Sequence, residues 1–173
     1  MKEMIVAQQS IYRYNLYDGI DSFNDIGEFV ENMASYQHGD AVMLYINSPG
    51  GSIDVGLSII DSIKQCKAPV TAVVQAPSYS MASVAALACD NIVFLKHTYL
   101  MFHNYSIGTH GKGAEFMMST KHNDEHINAI FKEYCSPFLT AAEMKKVSSD
   151  SDVYIKWDDP TLDKRIARHF KRR

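Results

Sequence analysis

Ser80, His103 and Asp152 are of the three types that together perform nucleophilic hydrolysis. Ser80 lies in Ala76-Pro77-Ser78-Tyr79-Ser80-Met81-Ala82-Ser83, where a β-like run ends in small residues and the helix-forming Val84-Ala85-Ala86-Leu87-Ala88 begins. Such a junction exposes a side chain. A Ser hydroxyl is weakly nucleophilic at neutral pH, so it needs a base within hydrogen-bond reach and a third group to orient that base. His103 closes the apolar run Leu100-Met101-Phe102 and can be the base; Asp152 can be the orienting acid. Singly, a His at a strand end is more often structural, and an Asp in a Ser/Asp-rich loop is more often a turn or cap residue. Their joint occurrence points to hydrolysis. Gly50-Gly51 adds to it, because the pair follows an apolar strand and precedes a helix, where N–H groups are unpaired and a substrate carbonyl can approach closely. With the N–H of Met81 at the next helix start, it would form an oxyanion hole, one donor of which is worth roughly 3 to 4 kcal/mol. A plain glycine turn also accounts for Pro-Gly-Gly.

The elements that must position these groups follow from hydrophobic periodicity. Ile26, Phe29, Val30 and Met33 take the i, i+3, i+4, i+7 spacing of one helix face. Ala41 to Asn47 reads as a strand buried on both faces, stopping at Ser48-Pro49-Gly50-Gly51. A helix over 52–66 follows, through Val55, Ile59, Ile60 and Ile63. Pro69 closes the connection before a strand at 70–74. Asn91–Leu95 and Tyr99–Phe102 read as further strands. This β-α-β-α-β order predicts an α/β domain with right-handed crossovers. A long polar helix is expected over 113–134, with Phe116, Ile127, Ile130, Phe131 and Tyr134 as its apolar positions. Thr140-Ala141-Ala142-Glu143 matches a capping box, so a shorter helix starts there and ends before Ser148; Val153-Tyr154-Ile155 is a short strand.

Composition bounds the rest. With 173 residues, 46% of them hydrophobic, the chain can bury one sizeable core, so a single domain over 1–173 is expected. A net charge of −3 provides no global basic field for nucleic acid. Lys164-Arg165 and His169-Phe170-Lys171-Arg172-Arg173 form a local basic tail, read as a solvated helix end. Cys66, Cys89 and Cys135 fit neither a disulfide framework nor a CxxC metal site and are read as buried free thiols. Met1–Gln9 has no apolar h-region and no apolar run is long enough for a membrane span, so a soluble cytoplasmic protein is expected. No cofactor is called for.

Leu44-Tyr45-Ile46-Asn47-Ser48-Pro49-Gly50-Gly51-Ser52, Ser80-Met81-Ala82, Met101-Phe102-His103-Asn104 and Asp152-Val153-Tyr154-Ile155, in that order, resemble the proteolytic subunit of the caseinolytic (Clp) protease. The resemblance runs from about Ala41 to Ile155 and is most specific in Tyr45-Ile46-Asn47-Ser48-Pro49-Gly50-Gly51. It implies a Clp/crotonase-type fold and a Ser-His-Asp peptidase. Ser80 would be the nucleophile, His103 the base and then the acid, Asp152 its orienting partner, and Gly51 and Met81 the oxyanion donors. It further implies polypeptide substrates and a homo-oligomer of heptameric rings, with the long helix as a handle between two rings. The segment 106–113 would supply an edge strand and turn for substrate and ring contacts. This chain departs from the family in having Tyr79 before the nucleophile, where an Ala is usual, and Ala82 after the Met, where a Gly is usual. Ser78 and Ser83 stand near enough to be rival nucleophiles, and Asp150 is the rival acid. An obvious axial-loop segment is missing at the N-terminus, which leaves an ATPase unfoldase partner in question.

Three other readings stay open. His122-Asn123-Asp124-Glu125-His126 has the HxxEH spacing of inverted zinc peptidases, although a solvated helix face explains it better. His110 beside the Gly-rich turn is read as a surface residue. A ring-forming pseudopeptidase scaffold would keep assembly and lose chemistry. An acyl-CoA hydratase or isomerase would need carboxylate acid/base groups in place of a nucleophilic Ser.

Overall fold

Thirteen elements make up residues 10–106, 108 and 112–170, the part described by the computed structural model. They run β1 (Ile11–Ile20), α1 (Phe23–Ser35), β2 (Ala41–Gly51), α2 (Ile53–Gln65), β3 (Val70–Val74), β4 (Ser78–Tyr79), α3 (Met81–Ala88), β5 (Asn91–Phe94), β6 (Tyr99–Phe102), α4 (Gly113–Tyr134), α5 (Ala141–Ser148), β7 (Val153–Lys156) and α6 (Leu162–Phe170). The first sheet is parallel in the order β1-β2-β3-β5. The second has β6 between β4, parallel to it, and β7, antiparallel. This is the mixed α/β architecture expected from the sequence. The helices start where local chemistry predicts: Ser22 and Ser52 accept backbone N–H bonds, and Thr140 with Glu143 closes the full capping box.

Several expectations change. β1 was not anticipated, although Tyr12, Tyr14 and Leu16 alternate inward along it and pack on the core. β2 is buried on one face only: Val42, Leu44, Ile46 and Ser48 are inside, whereas Met43 and Tyr45 are half-buried and the Arg13 guanidinium lies 3.9 Å from the Tyr45 ring centroid. It also continues through Gly51 instead of stopping at Ser48, with a register shift against β1 between Tyr17 and Gly19. Ser148 still belongs to α5. On α4, Ile127, Ile130 and Tyr134 are buried, whereas Phe116 is 41% exposed because the first half of the helix has no layer beneath it. Cys89 and Cys135 are buried, Cys66 only partly.

The basic tail is the largest correction. Arg165 is 8% and His169 1% exposed. Arg165 donates to both Glu143 oxygens at 2.8 Å and lies 3.5 Å from Asp159; Arg168 donates to the Pro137 and Phe138 carbonyls. His169 Nε2 is 2.7 Å from the Leu87 carbonyl oxygen. Arg165, Arg168 and His169 thus sit among carboxylates and main-chain oxygens, which makes one face of the helix part of the core wall, while Lys164 stays exposed as expected. Residues 1–9 and 171–173, with Ile107, Thr109, His110 and Gly111, lie outside the described residues.

Candidate active site

Ser80 joins β4 to α3 with φ 55° and ψ −127°. A non-glycine residue holds such a conformation at a cost of about 1–3 kcal/mol, and only where its surroundings over-determine it. Here they do. The Ser80 N–H donates to the Met101 carbonyl at 2.9 Å, and its own carbonyl accepts from Ser83 N–H at 3.0 Å and Val84 N–H at 3.2 Å. Ser80 occupies the N-cap position, yet its hydroxyl makes no capping bond. The rival serines are engaged and fully buried: Ser78 donates to the Ala76 carbonyl, and Ser83 to the Ser78 and Met101 carbonyls.

Ser80 opens onto a cavity of about 450 Å³ whose lining includes Gly50, Gly51, Met81 and His103. Four of the five residues expected to do chemistry therefore meet in one place. The backbone of β2 comes unusually close to the elbow: a Cβ on Gly50 would lie 2.8 Å from Ser80 Cβ and 2.9 Å from Met81 N, and Gly50 has φ +84°. Met81 is the first residue of α3, so its N–H has no acceptor within the helix. Another cavity, about 400 Å³ between β1 and α1, has Arg13, Asn15, Asp25 and Glu28 in its lining and holds no pairing of a nucleophile with a base.

Asp152 does not line the site cavity. It precedes β7, where Phe102 pairs with Val153; continuing that antiparallel register by one residue sets Asp152 opposite His103. Among the described residues, no hydrogen bond joins Ser80 to His103 or His103 to Asp152. Asp152 Oδ2 accepts instead from the Tyr154 hydroxyl at 3.2 Å, and the neighbouring Asp150 accepts from Asn104 Nδ2 at 2.7 Å.

Sequence reasoning missed several residues of the cavity wall. Asp21, the one carboxylate among the described lining residues, lies so near Gly51 that a Cβ there would be 2.6 Å from its Oδ1. Tyr105 donates to Asp124 of α4 at 3.2 Å, and Phe131 brings the same helix into the wall. Phe131 carried a signal, its place on the apolar stripe of α4; Asp21 had none. Tyr79 keeps clear of the cavity, its hydroxyl 2.7 Å from that of Tyr99. Along α4, His122 and His126 are exposed, and Glu125 pairs with Lys121 at 3.9 Å. Among the described residues no third His, Cys, Asp or Glu completes a metal-ligand group with them.

The profile of the Clp protease family matches residues 22–158. The chain belongs to the Clp protease family. This Clp protease family member is 42% identical over 72 residues to the ATP-dependent Clp protease proteolytic subunit 1 of Chlamydia caviae, a match covering 40% of the chain and 38% of the relative. It is 29% identical over 111 residues to the ATP-dependent Clp protease proteolytic subunit of Oltmannsiellopsis viridis, covering 63% of the chain and 56% of the relative. The chain thus aligns with well under two thirds of the length of either curated relative. No helix among the described residues is long and apolar enough to cross a membrane.

Proposed function

We propose that this chain is a serine endopeptidase acting through an acyl-enzyme, with Ser80 as nucleophile, His103 as acid/base, Asp152 as its orienting partner and the N–H groups of Gly51 and Met81 as oxyanion donors. The observation that carries the proposal is the strained Ser80 elbow, whose uncapped hydroxyl shares a cavity with His103, Gly51 and Met81. In the first step Ser80 Oγ attacks the scissile carbonyl carbon and its proton passes to His103. The carbonyl oxygen becomes an oxyanion, held by the two N–H groups, where preorganised donors are most effective. Collapse breaks the C–N bond and His103 returns the proton to the leaving amine. Water then attacks the ester, again with His103 as base, and releases the acid and Ser80. The negative charge of Asp152 would favour the imidazolium and hold its tautomer.

Assembly is part of the proposal. The relatives are named as subunits of an ATP-dependent protease, and α4 exposes Phe116, Met117 and Met118 in succession. A homo-oligomeric ring, heptameric or stacked in pairs, would cover this apolar surface and enclose the cavity. The pseudopeptidase scaffold is the second reading, favoured by one observation: among the described residues no hydrogen bond joins Ser80 to His103 or His103 to Asp152. Labelling with a fluorophosphonate, read by intact mass beside size-exclusion light scattering, separates the two. Stoichiometric labelling that Ser80→Ala abolishes is expected, on a species several times the monomer mass. A folded oligomer that does not label would favour the scaffold.

A further inference from the structure

We infer that Tyr154, braced by Tyr99 and Tyr79, is a positioning residue that sets the Asp152 carboxylate for catalysis. This rests on the serine peptidase reading and extends it to a side chain outside the triad. Each strand of the second sheet adjoins one member of the proposed triad: Ser80 follows β4, His103 follows β6 and Asp152 precedes β7. Ser78, Leu100, Phe102, Val153 and Ile155 are buried, and the residues that alternate with them face the other way. On that second side, Tyr79 pairs with Met101 and Met101 with Tyr154.

The three tyrosines form a continuous ladder across it. The Tyr79 and Tyr99 hydroxyls are 2.7 Å apart and their rings meet edge to face at 5.6 Å; the Tyr99 and Tyr154 rings meet at 5.6 Å and 66°. The ladder ends in the bond from the Tyr154 hydroxyl to Asp152 Oδ2. That bond uses one carboxylate oxygen and leaves Oδ1 to accept the Nδ1–H of His103, which the strand register sets opposite. Partial burial and the Asp152 bond raise the Tyr154 phenol above its ordinary ionisation range, so it remains a donor at neutral pH.

The test is the rate of labelling of the full chain by a fluorescent fluorophosphonate, resolved into the maximal rate and the half-saturating concentration. Tyr154→Phe keeps the ring and removes only the hydroxyl. Its maximal rate should fall about five- to tenfold, the scale of one ordinary hydrogen bond, at an unchanged half-saturating concentration. In an Asp152→Asn background the same substitution should change the rate less than about twofold, because no carboxylate is left to hold. A Tyr154→Phe protein that labels at or above the wild-type rate overturns the inference. An equal loss in both backgrounds also overturns it, since it marks a merely structural role. A wild-type protein that does not label removes the peptidase reading and the positioning role together, an outcome distinct from the other two.

Discussion

Gly50→Ala tests the geometry on which the site depends. The new Cβ would lie 2.6 Å from the Tyr79 carbonyl oxygen, 2.8 Å from Ser80 Cβ and 2.9 Å from Met81 N. Two of these are backbone atoms, which cannot swing aside as the end of a side chain does. The residue also holds φ +84°, a left-handed conformation costing an L-residue with a Cβ about 1–2 kcal/mol. Adding about 1–3 kcal/mol for displacing the elbow, the loss of stability should total about 2–5 kcal/mol, or about 4–20 °C in Tm for a chain of this size. Gly27→Ala is the internal control: it lies within α1, with nothing inside 4 Å of the added Cβ. It should be neutral or stabilise by up to about 1 kcal/mol. Urea unfolding reports both, and fluorophosphonate labelling measures whether Ser80 remains in place. Gly50→Ala should label at least tenfold more slowly even under conditions where it is fully folded. If it labels at the wild-type rate and loses less than about 1 kcal/mol, the close approach of β2 to the elbow is wrong.

Two further outcomes are expected. The Arg165 guanidinium and the Thr140 donors hold the Glu143 carboxyl at about 2, against 4.5 ordinarily, which corresponds to at most about 3 kcal/mol and to about 2 after partial solvent screening. Because the folded value is the lower one, this stabilisation is complete above about pH 4.5 and is lost as pH falls towards 2. Glu143→Gln should therefore be less stable than wild type by a constant amount at neutral pH, with the gap closing between pH 4.5 and 2 in urea titrations. Replacing both His122 and His126 by Ala, or adding a chelator, should leave the labelling rate unchanged; a large loss in either experiment would return the zinc reading to contention.

How much was legible depended on how local the cause was. Hydrophobic spacing located α2 and α4, and the Thr140–Glu143 box set the start of α5, because caps and periodicity act over one or two turns of chain. The places of Ser80, His103, Gly51 and Met81 at strand ends and helix starts were legible, since the end of an element exposes the residues that leave it. The period of two in β1 is obscured by the polar and charged residues interleaved with its tyrosines.

Other features had no local cause. Arg165 reads as solvated because charge predicts exposure; only the arrival of Glu143 and the Phe138 carbonyl from distant segments, beside the neighbouring Asp159, makes its burial tolerable. The approach of Gly50 to Ser80, the setting of Asp152 opposite His103 and the Tyr79–Tyr99–Tyr154 ladder likewise follow from strand pairing. By itself the sequence indicated the candidate side chains and the local elements that present them. Tertiary structure alone decided how those elements register against one another, because pairing energies between segments far apart in the chain leave no mark on the composition of either one.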